Sequence, residues 1–367
     1  MIRFFSVLLV GLLAAVSLGA VPLPEENPGE PFEAILAKLD ELAGRLDDLA
    51  GAVAAADDGV VKISQECVAD GCFPGDTPGF PVQITEPGSY RLASNLLVAT
   101  PNTTGVRIAA DGVSFDLGGF GIAGTFGCDT SGGFPFTCDP NGTGFGVQAV
   151  GPAGNTFLDG IAIRNGTIAG FDLAAVFVNG VGRIEDLAVY RSHRGLVVSV
   201  GTVQRVTVTG IERDGITMTQ GEVANVVVFQ VGTRAIGAAV VRDSVVHATG
   251  ETGVLADAAY SNSVGRTGQA VPSPGMSCRL CIENKVRDAV GPGIAFVGTS
   301  QGNFLGNHIV ASTGLGIEAN FFSVVAYGHN VLVGNNGGGA NPQVGGAATA
   351  TFIEIAPNVC GTDTVCP

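Results

Sequence analysis

Residues 195–228 read GLVVSVGTVQRVTVTGIERD and then GITMTQGEVANVVV, two passes over one pattern set 20 residues apart. The register is residue for residue: Leu196 falls above Ile216, Val203 above Val223, Val206 above Val226 and Val208 above Val228. Within each pass, apolar residues alternate with small or polar ones over short runs, and Gly, Asn or Asp separates the runs. Alternation sends every second side chain to one face of a strand, and the separating residues supply corners. Branched side chains stacked at a fixed period mark a solenoid whose coils bury one another.

The pattern continues outward. A small residue followed by an apolar one recurs at Ala175-Val176, Gly195-Leu196, Gly215-Ile216, Ala235-Ile236, Gly253-Val254, Gly293-Ile294 and Gly316-Ile317. The steps are near-constant except for the one from Val254 to Ile294, which is double and so holds two coils, the second with a loop carrying Cys278 and Cys281. Upstream, the stretch from Val106 to Val147 is likewise double and fits two coils interrupted by a loop between Cys128 and Cys138. Leucine-rich repeats share this period, but they need a helix or fixed leucines in each repeat, and neither is present. Short strands paired to the coils above and below give an all-β fold. We expect a right-handed parallel β-helix of about ten coils, each of about 20 residues, over 82–367.

At Gly105-Val106-Arg107-Ile108 and Val113-Ser114-Phe115-Asp116-Leu117-Gly118-Gly119-Phe120, the chain resembles the first coils of the pectate-lyase-like β-helix superfamily. The stretch Ile84-Thr85-Glu86-Pro87-Gly88-Ser89-Tyr90-Arg91-Leu92, then Asn95-Leu96, is similar to exported bacterial β-helix repeat proteins, as is the ending Asn358-Val359-Cys360 to Cys366-Pro367. The resemblance implies the fold and leaves the activity open, since lyases, hydrolases, epimerases and adhesins all use it.

Composition agrees with many short strands: 56 glycines, no tryptophan and a charged fraction of 14% leave little material for helices. A net charge of −15, with lysine only at Lys38, Lys62 and Lys285, excludes nucleic acid as a partner.

Residues 1–20 place Arg3 before the apolar run Phe4 to Val16 and end in Ser17-Leu18-Gly19-Ala20, the layout of a secretory signal peptide cleaved near Ala20. A retained membrane anchor is the rival reading, and Val21-Pro22-Leu23-Pro24 favours cleavage. No later apolar run is long enough to span a bilayer. The mature chain is therefore expected to be soluble, and secreted, periplasmic or at the cell surface. Eight cysteines form local pairs: Cys67 with Cys72, Cys128 with Cys138, Cys278 with Cys281 and Cys360 with Cys366. In an exported chain these read as disulfides pinning local irregular backbone.

Residues 21–30 and 59–81 read as linkers, the second holding the first disulfide. Between them, in 31–58, Phe32, Ile35, Leu39, Leu42, Leu46, Leu49 and Val53 are spaced 3, 4, 3, 4, 3, 4, the seam of an amphipathic heptad helix. That seam fits homo-oligomerisation and capping of an open end of the β-helix equally well.

Catalytic motifs are sparse. Polygalacturonases of this fold combine clustered aspartates with Gly-His-Gly and Arg-x-Lys; here the nearest match is Gly328-His329-Asn330, and no Arg-x-Lys exists. The acids of the coils are scattered at Asp159, Glu185, Asp186, Glu212, Asp214, Glu222, Asp243 and Glu251. No cofactor is implied, and calcium has no ligand cluster to hold it. His247 and His308 read as lone surface residues, and Asn165 and Asn284 as corner residues tolerating left-handed backbone.

One constellation stands out. Arg194, Asp214 and Arg234 each precede the small residue that opens a coil, so they should stack about 4.8 Å apart. Arg191, His193 and Arg213 lie beside them. An Arg-Asp-Arg column suits a uronate or sulfated sugar, with His193 as acid or base; it suits a charge ladder between coils as well. The leading expectation is a secreted protein that binds or modifies an extended acidic polysaccharide, as a lyase or glycoside hydrolase if it is an enzyme. The alternative is a noncatalytic structural or adhesin-type surface or matrix protein.

Overall fold

The computed structural model describes residues 37–45, 59–154, 156–296, 301–320, 322–338 and 341–360. The chain divides into two units, Met1–Asp58 and Gly59–Pro367. In the first, residues 37–45 are helical and exposed, with Leu39 and Leu42 open to solvent; the signal, the 21–30 linker and the remainder of the heptad seam lie outside the described residues.

The second unit is a parallel β-solenoid whose alternating runs form three sheets. In sheet 1, eleven successive parallel pairings join twelve inward residues: Val82, Val106, Val147, Val176, Leu196, Ile216, Ile236, Val254, Met276, Ile294, Ile317 and Val344. All twelve are buried. Sheet 2 stacks Tyr90, Phe115, Ile163, Ile184, Val203, Val223, Val241, Ala259, Cys281, Phe304 and Tyr327 in the same way. Sheet 3 runs through Ile122, Ile168, Val189, Val208, Val228, Val246, Val264, Val286, Ile309 and Leu332. Each such buried aliphatic side chain contributes about 1.5–3 kcal/mol, so the stacked columns are the core.

Corners repeat as regularly as strands. Between sheets 2 and 3, nine successive coils each place one residue in the left-handed region: Asn165, Asp186, Arg205, Asn225, Asp243, Ser261, Glu283, Gly306 and His329. Asn165 is the left-handed residue of its corner, as expected. Asn284 is not; Glu283 before it takes the turn, and the Asn284 side chain is fully buried.

Three further expectations need correction. Val106 pairs directly with Val147, so the chain between them makes one coil, not two. The surplus leaves the stack as an insertion between Gly121–Ala123 and Phe145–Ala149, where Cys128-Asp129 and Thr137-Cys138 form their own antiparallel ladder. The segment 59–81 is not a plain linker: Val60–Ile63 pairs in register with Ser89 to Leu92, so the solenoid begins before residue 82. Cys278 and Cys281 lie within the strand Met276–Ile282, not in a loop. Both are buried and stack on Ala256 and Ala259, whose small side chains leave space for a bridge inside the corner between sheets 1 and 2. Disulfides Cys67–Cys72, Cys128–Cys138 and Cys278–Cys281 are formed. Cys360 is disulfide-bonded too, and Cys366 lies outside the described residues.

Candidate functional site

The backbone of the predicted column stacks as its register requires: Ala175, Gly195 and Gly215 donate their N–H groups to the carbonyls of Arg194, Asp214 and Arg234, at 3.0 Å each. The side chains part company. Arg234 Nη2 lies 3.5 Å from Asp214 Oδ1, which also accepts from Thr233 Oγ1 at 3.1 Å. Arg194 makes no ion pair among the described residues, and its Nε is buried without a partner. Arg191 takes a left-handed corner at φ 47° and, like Arg213, points to solvent. His193 is buried at 4% exposure, its Nδ1 lying 2.7 Å from Glu212 Oε2 and its ring edge-on to Phe126. A ring so enclosed is poorly placed to meet a chain-like ligand on the surface.

Arg234 instead reaches over the outer face of sheet 1. The outward position there is Thr217, Gly237, Leu255 and Ser277 in successive coils. A Cβ built on Gly237 would stand 2.9 Å from Arg234 Nε and 3.1 Å from its Cζ, so the guanidinium lies across the bare glycine. The result is a groove of about 380 Å³ whose polar lining is Thr217, Thr219, Arg234, Asp257, Ser277 and Arg279, with Leu255, Met218 and Phe296 as its apolar part. Asp257 and Arg279 are neighbours on adjacent coils, between the registered pairs Ala256 with Cys278 and Ala258 with Leu280. Thr217 Oγ1 and Arg234 Nε are both buried and both lack a hydrogen-bond partner. Buried polar atoms are normally satisfied, so these two remain open to a hydrogen bond with water or a polar ligand in the groove.

The chain matches no protein-family profile and no curated protein sequence. Among solved structures it is similar to the A-module of the Azotobacter vinelandii mannuronan C-5 epimerase AlgE6, at 12% identity over 84% of this chain and 89% of that one, with a TM-score of 0.31. It is also similar to bacteriophage CBA120 tailspike protein 3, at 13% identity over 76% of this chain and 57% of that one, with a TM-score of 0.30. Likeness this distant carries no information about the groove.

Sequence reasoning missed two other clusters. Apart from Arg234 with Asp214, the arginine ion pairs that tie coils together collect on sheet 2 and its corner, away from the predicted column. Arg205 grips Asp186 through Nε and Nη2 at 2.7 and 2.8 Å, and reaches Glu185 Oε2 at 2.8 Å. Burial opposes ionisation of Glu185, but hydrogen bonds from Arg183, Arg205 and Gln204 outweigh it and leave its pKa lowered; the Arg205 hydrogen bond does the same for Asp186. The second cluster is on sheet 3, where one outward position carries Phe229, His247, Gly265 and Arg287, and the next carries Val245, Ser263, Lys285 and His308. His247 and His308, isolated in sequence, thereby line one groove of about 450 Å³. The signal was the recurring three-residue run that holds both outward positions, Val245-Val246-His247, Lys285-Val286-Arg287 and His308-Ile309-Val310, with His247 at its end and His308 at its start.

Among the described residues, no three His, Cys, Asp or Glu side chains are grouped to hold a metal ion, and no helix is long and apolar enough to cross a membrane.

Proposed function

We propose that this protein is an exported β-helix module that binds an extended acidic polysaccharide laid along sheet 1. The observation that carries this reading is the pair of unpartnered polar atoms, Thr217 Oγ1 and Arg234 Nε, in a groove that also holds Arg279. Guanidinium groups pair with carboxylates or sulfates through two hydrogen bonds at once, and the hydroxyls of Thr217, Thr219 and Ser277 suit sugar hydroxyls. The groove runs across successive coils, and a 1,4-linked sugar ring advances its chain by a distance close to the coil spacing of about 4.8 Å. Binding is favoured over hydrolysis because, among the described residues, the groove lining offers one carboxylate, Asp257, where glycosidases generally use two flanking the scissile bond. Export fits the disulfides.

The test is calorimetric titration of oligogalacturonates and sulfated oligosaccharides against the wild type and the Arg234→Ala/Arg279→Ala variant. Loss of at least about tenfold in affinity is expected for the sheet 1 site; wild-type affinity in the variant rejects it. Shortening of the polymer, or release of unsaturated ends, would make the protein an enzyme instead.

A further inference from the structure

The outer face of sheet 3 gathers positive charge in an acidic chain. In a chain of net charge −15 with three lysines and four histidines, this one groove holds Lys285, Arg287, His247 and His308 against a single carboxylate, Asp288. Neither Lys285 nor Arg287 has a carboxylate within ion-pair distance among the described residues; the ion pairs of the solenoid lie elsewhere. Two free cations side by side repel each other, and nothing in the fold requires them here.

Beside the cations is an aromatic platform. Phe229 and His247 stack face to face, with ring centroids 5.6 Å apart and planes within 4°. Phe229 is 39% exposed, and Val227 and Val245 next to it are more exposed still. Burial, and then the charge of Arg266, lowers the pKa of His247 against the opposing pull of Asp288, which favours the neutral ring as an extension of the apolar surface. Between platform and cations comes the coil of Ser263 and Gly265, the smallest residues on this face. A Cβ at Gly265 would already meet His247 Nδ1 at 3.3 Å, so the glycine keeps a notch open beside the imidazole. From His247 to Arg287 is two coils, about 10 Å, which is about two sugar rings along the axis.

We infer that this face is a second binding site, separate from sheet 1, for a glycan bearing anionic groups. A sugar ring enters the notch at Gly265 and rests its C–H face on the side of His247 turned away from Phe229, and its carboxylate or sulfate is held by Lys285 and Arg287, with His308 alongside. The aromatic face of His247, backed by Phe229, selects a sugar over a bare anion. The net negative charge of the chain disfavours nucleic acid, whose long run of phosphates would meet repulsion beyond this patch. The site stands independently of the sheet 1 groove, since no residue lines both.

The experiment titrates full-length mature protein with a sulfated tetrasaccharide, a tetragalacturonate, an uncharged cellotetraose, inorganic sulfate and phosphatidylserine vesicles. Lys285→Ala/Arg287→Ala is expected to remove one binding step for an anionic tetrasaccharide, with affinity falling at least about tenfold. Phe229→Ala should weaken the same step about fivefold, and Arg234→Ala/Arg279→Ala should leave it intact. A step lost only in the Arg234 and Arg279 variant would overturn this site while sparing the sheet 1 reading; a step lost only in the Lys285 and Arg287 variant would do the reverse. Inorganic sulfate binding as well as the saccharides with no effect of Phe229→Ala, or vesicle binding without saccharide binding, would also overturn it. Melting curves confirm that each variant is folded.

Discussion

Asn284 Oδ1 accepts two hydrogen bonds from Asn262, one from its backbone N–H and one from its side-chain Nδ2, each at 3.0 Å. The same double contact repeats from Asn284 to Asn307, Asn307 to Asn330 and Asn330 to Asn358. The amides of Asn262, Asn284, Asn307 and Asn330 also donate inward to a carbonyl of the preceding coil, as Asn284 Nδ2 does to Ala259 at 3.0 Å. The ladder thus satisfies, inside the core, backbone donors that turning the corner would otherwise leave unpaired. Asn284→Ala leaves the Asn262 N–H and amide facing an apolar gap, and the expected loss is at least about 2 kcal/mol in denaturant unfolding. A loss within a few tenths of a kcal/mol, as at an ordinary surface site, would show that the ladder is decorative.

The ladder is present in the sequence as Asn262, Asn284, Asn307, Asn330 and Asn358, one per coil. It escapes a reading of the sequence because each asparagine follows a turn residue and so looks like part of the turn. Stacked columns such as Leu196 and Ile216 are legible because inward alternation repeats without interruption. The coil of Val106 to Val147 is not, because its insertion adds a length of chain that mimics a second period. Backbone register at Arg194, Asp214 and Arg234 follows from counting alone. The direction in which Arg234 leans does not, since it depends on Gly237 lying bare in the same coil. Side chains meeting across coils, such as His247 on Phe229, need both register and outward phase, which single positions do not reveal.

The grip of Arg205 on Glu185 and Asp186 predicts an acid-sensitive contribution to stability. Both carboxyls have pKa values lowered from 4.5 and 3.8 respectively, so they ionise more readily in the folded chain than in the unfolded one. Their contribution is complete above those ordinary values and is lost as pH falls through the folded values. Arg205→Met should therefore lower the melting temperature at neutral pH, and the gap from wild type should close in strong acid. An equal gap at both pH values would assign the effect to packing.

Deleting residues 1–58 keeps every described strand from Val60 onward. The far-ultraviolet spectrum and cooperative melting of the solenoid should therefore survive. If the heptad seam associates chains, light scattering should show the mass per particle falling from an oligomer to a monomer. A mature protein that is already monomeric would assign the seam to capping.

Gly237→Ala offers the sharpest separation of binding from stability in the sheet 1 groove. The glycine sits within the strand Ile236–Arg242 with a backbone outside the left-handed region, so an alanine can adopt it without strain. Its three nearest contacts would be Nε, Cζ and Cδ of Arg234, at 2.9, 3.1 and 3.5 Å, and no backbone atom. The new methyl is therefore accommodated by moving one flexible side chain off the groove floor. Replacing a strand glycine by alanine also removes an entropic penalty of about 0.5–1 kcal/mol. The variant should melt no lower than wild type, while its affinity for an acidic oligosaccharide should fall as far as that of Arg234→Ala. Undiminished affinity in Gly237→Ala, with weakened binding in Arg234→Ala, would mean that Arg234 acts from another orientation. Loss of stability in Gly237→Ala would mean that the guanidinium is held in place by the fold and not merely resting on it.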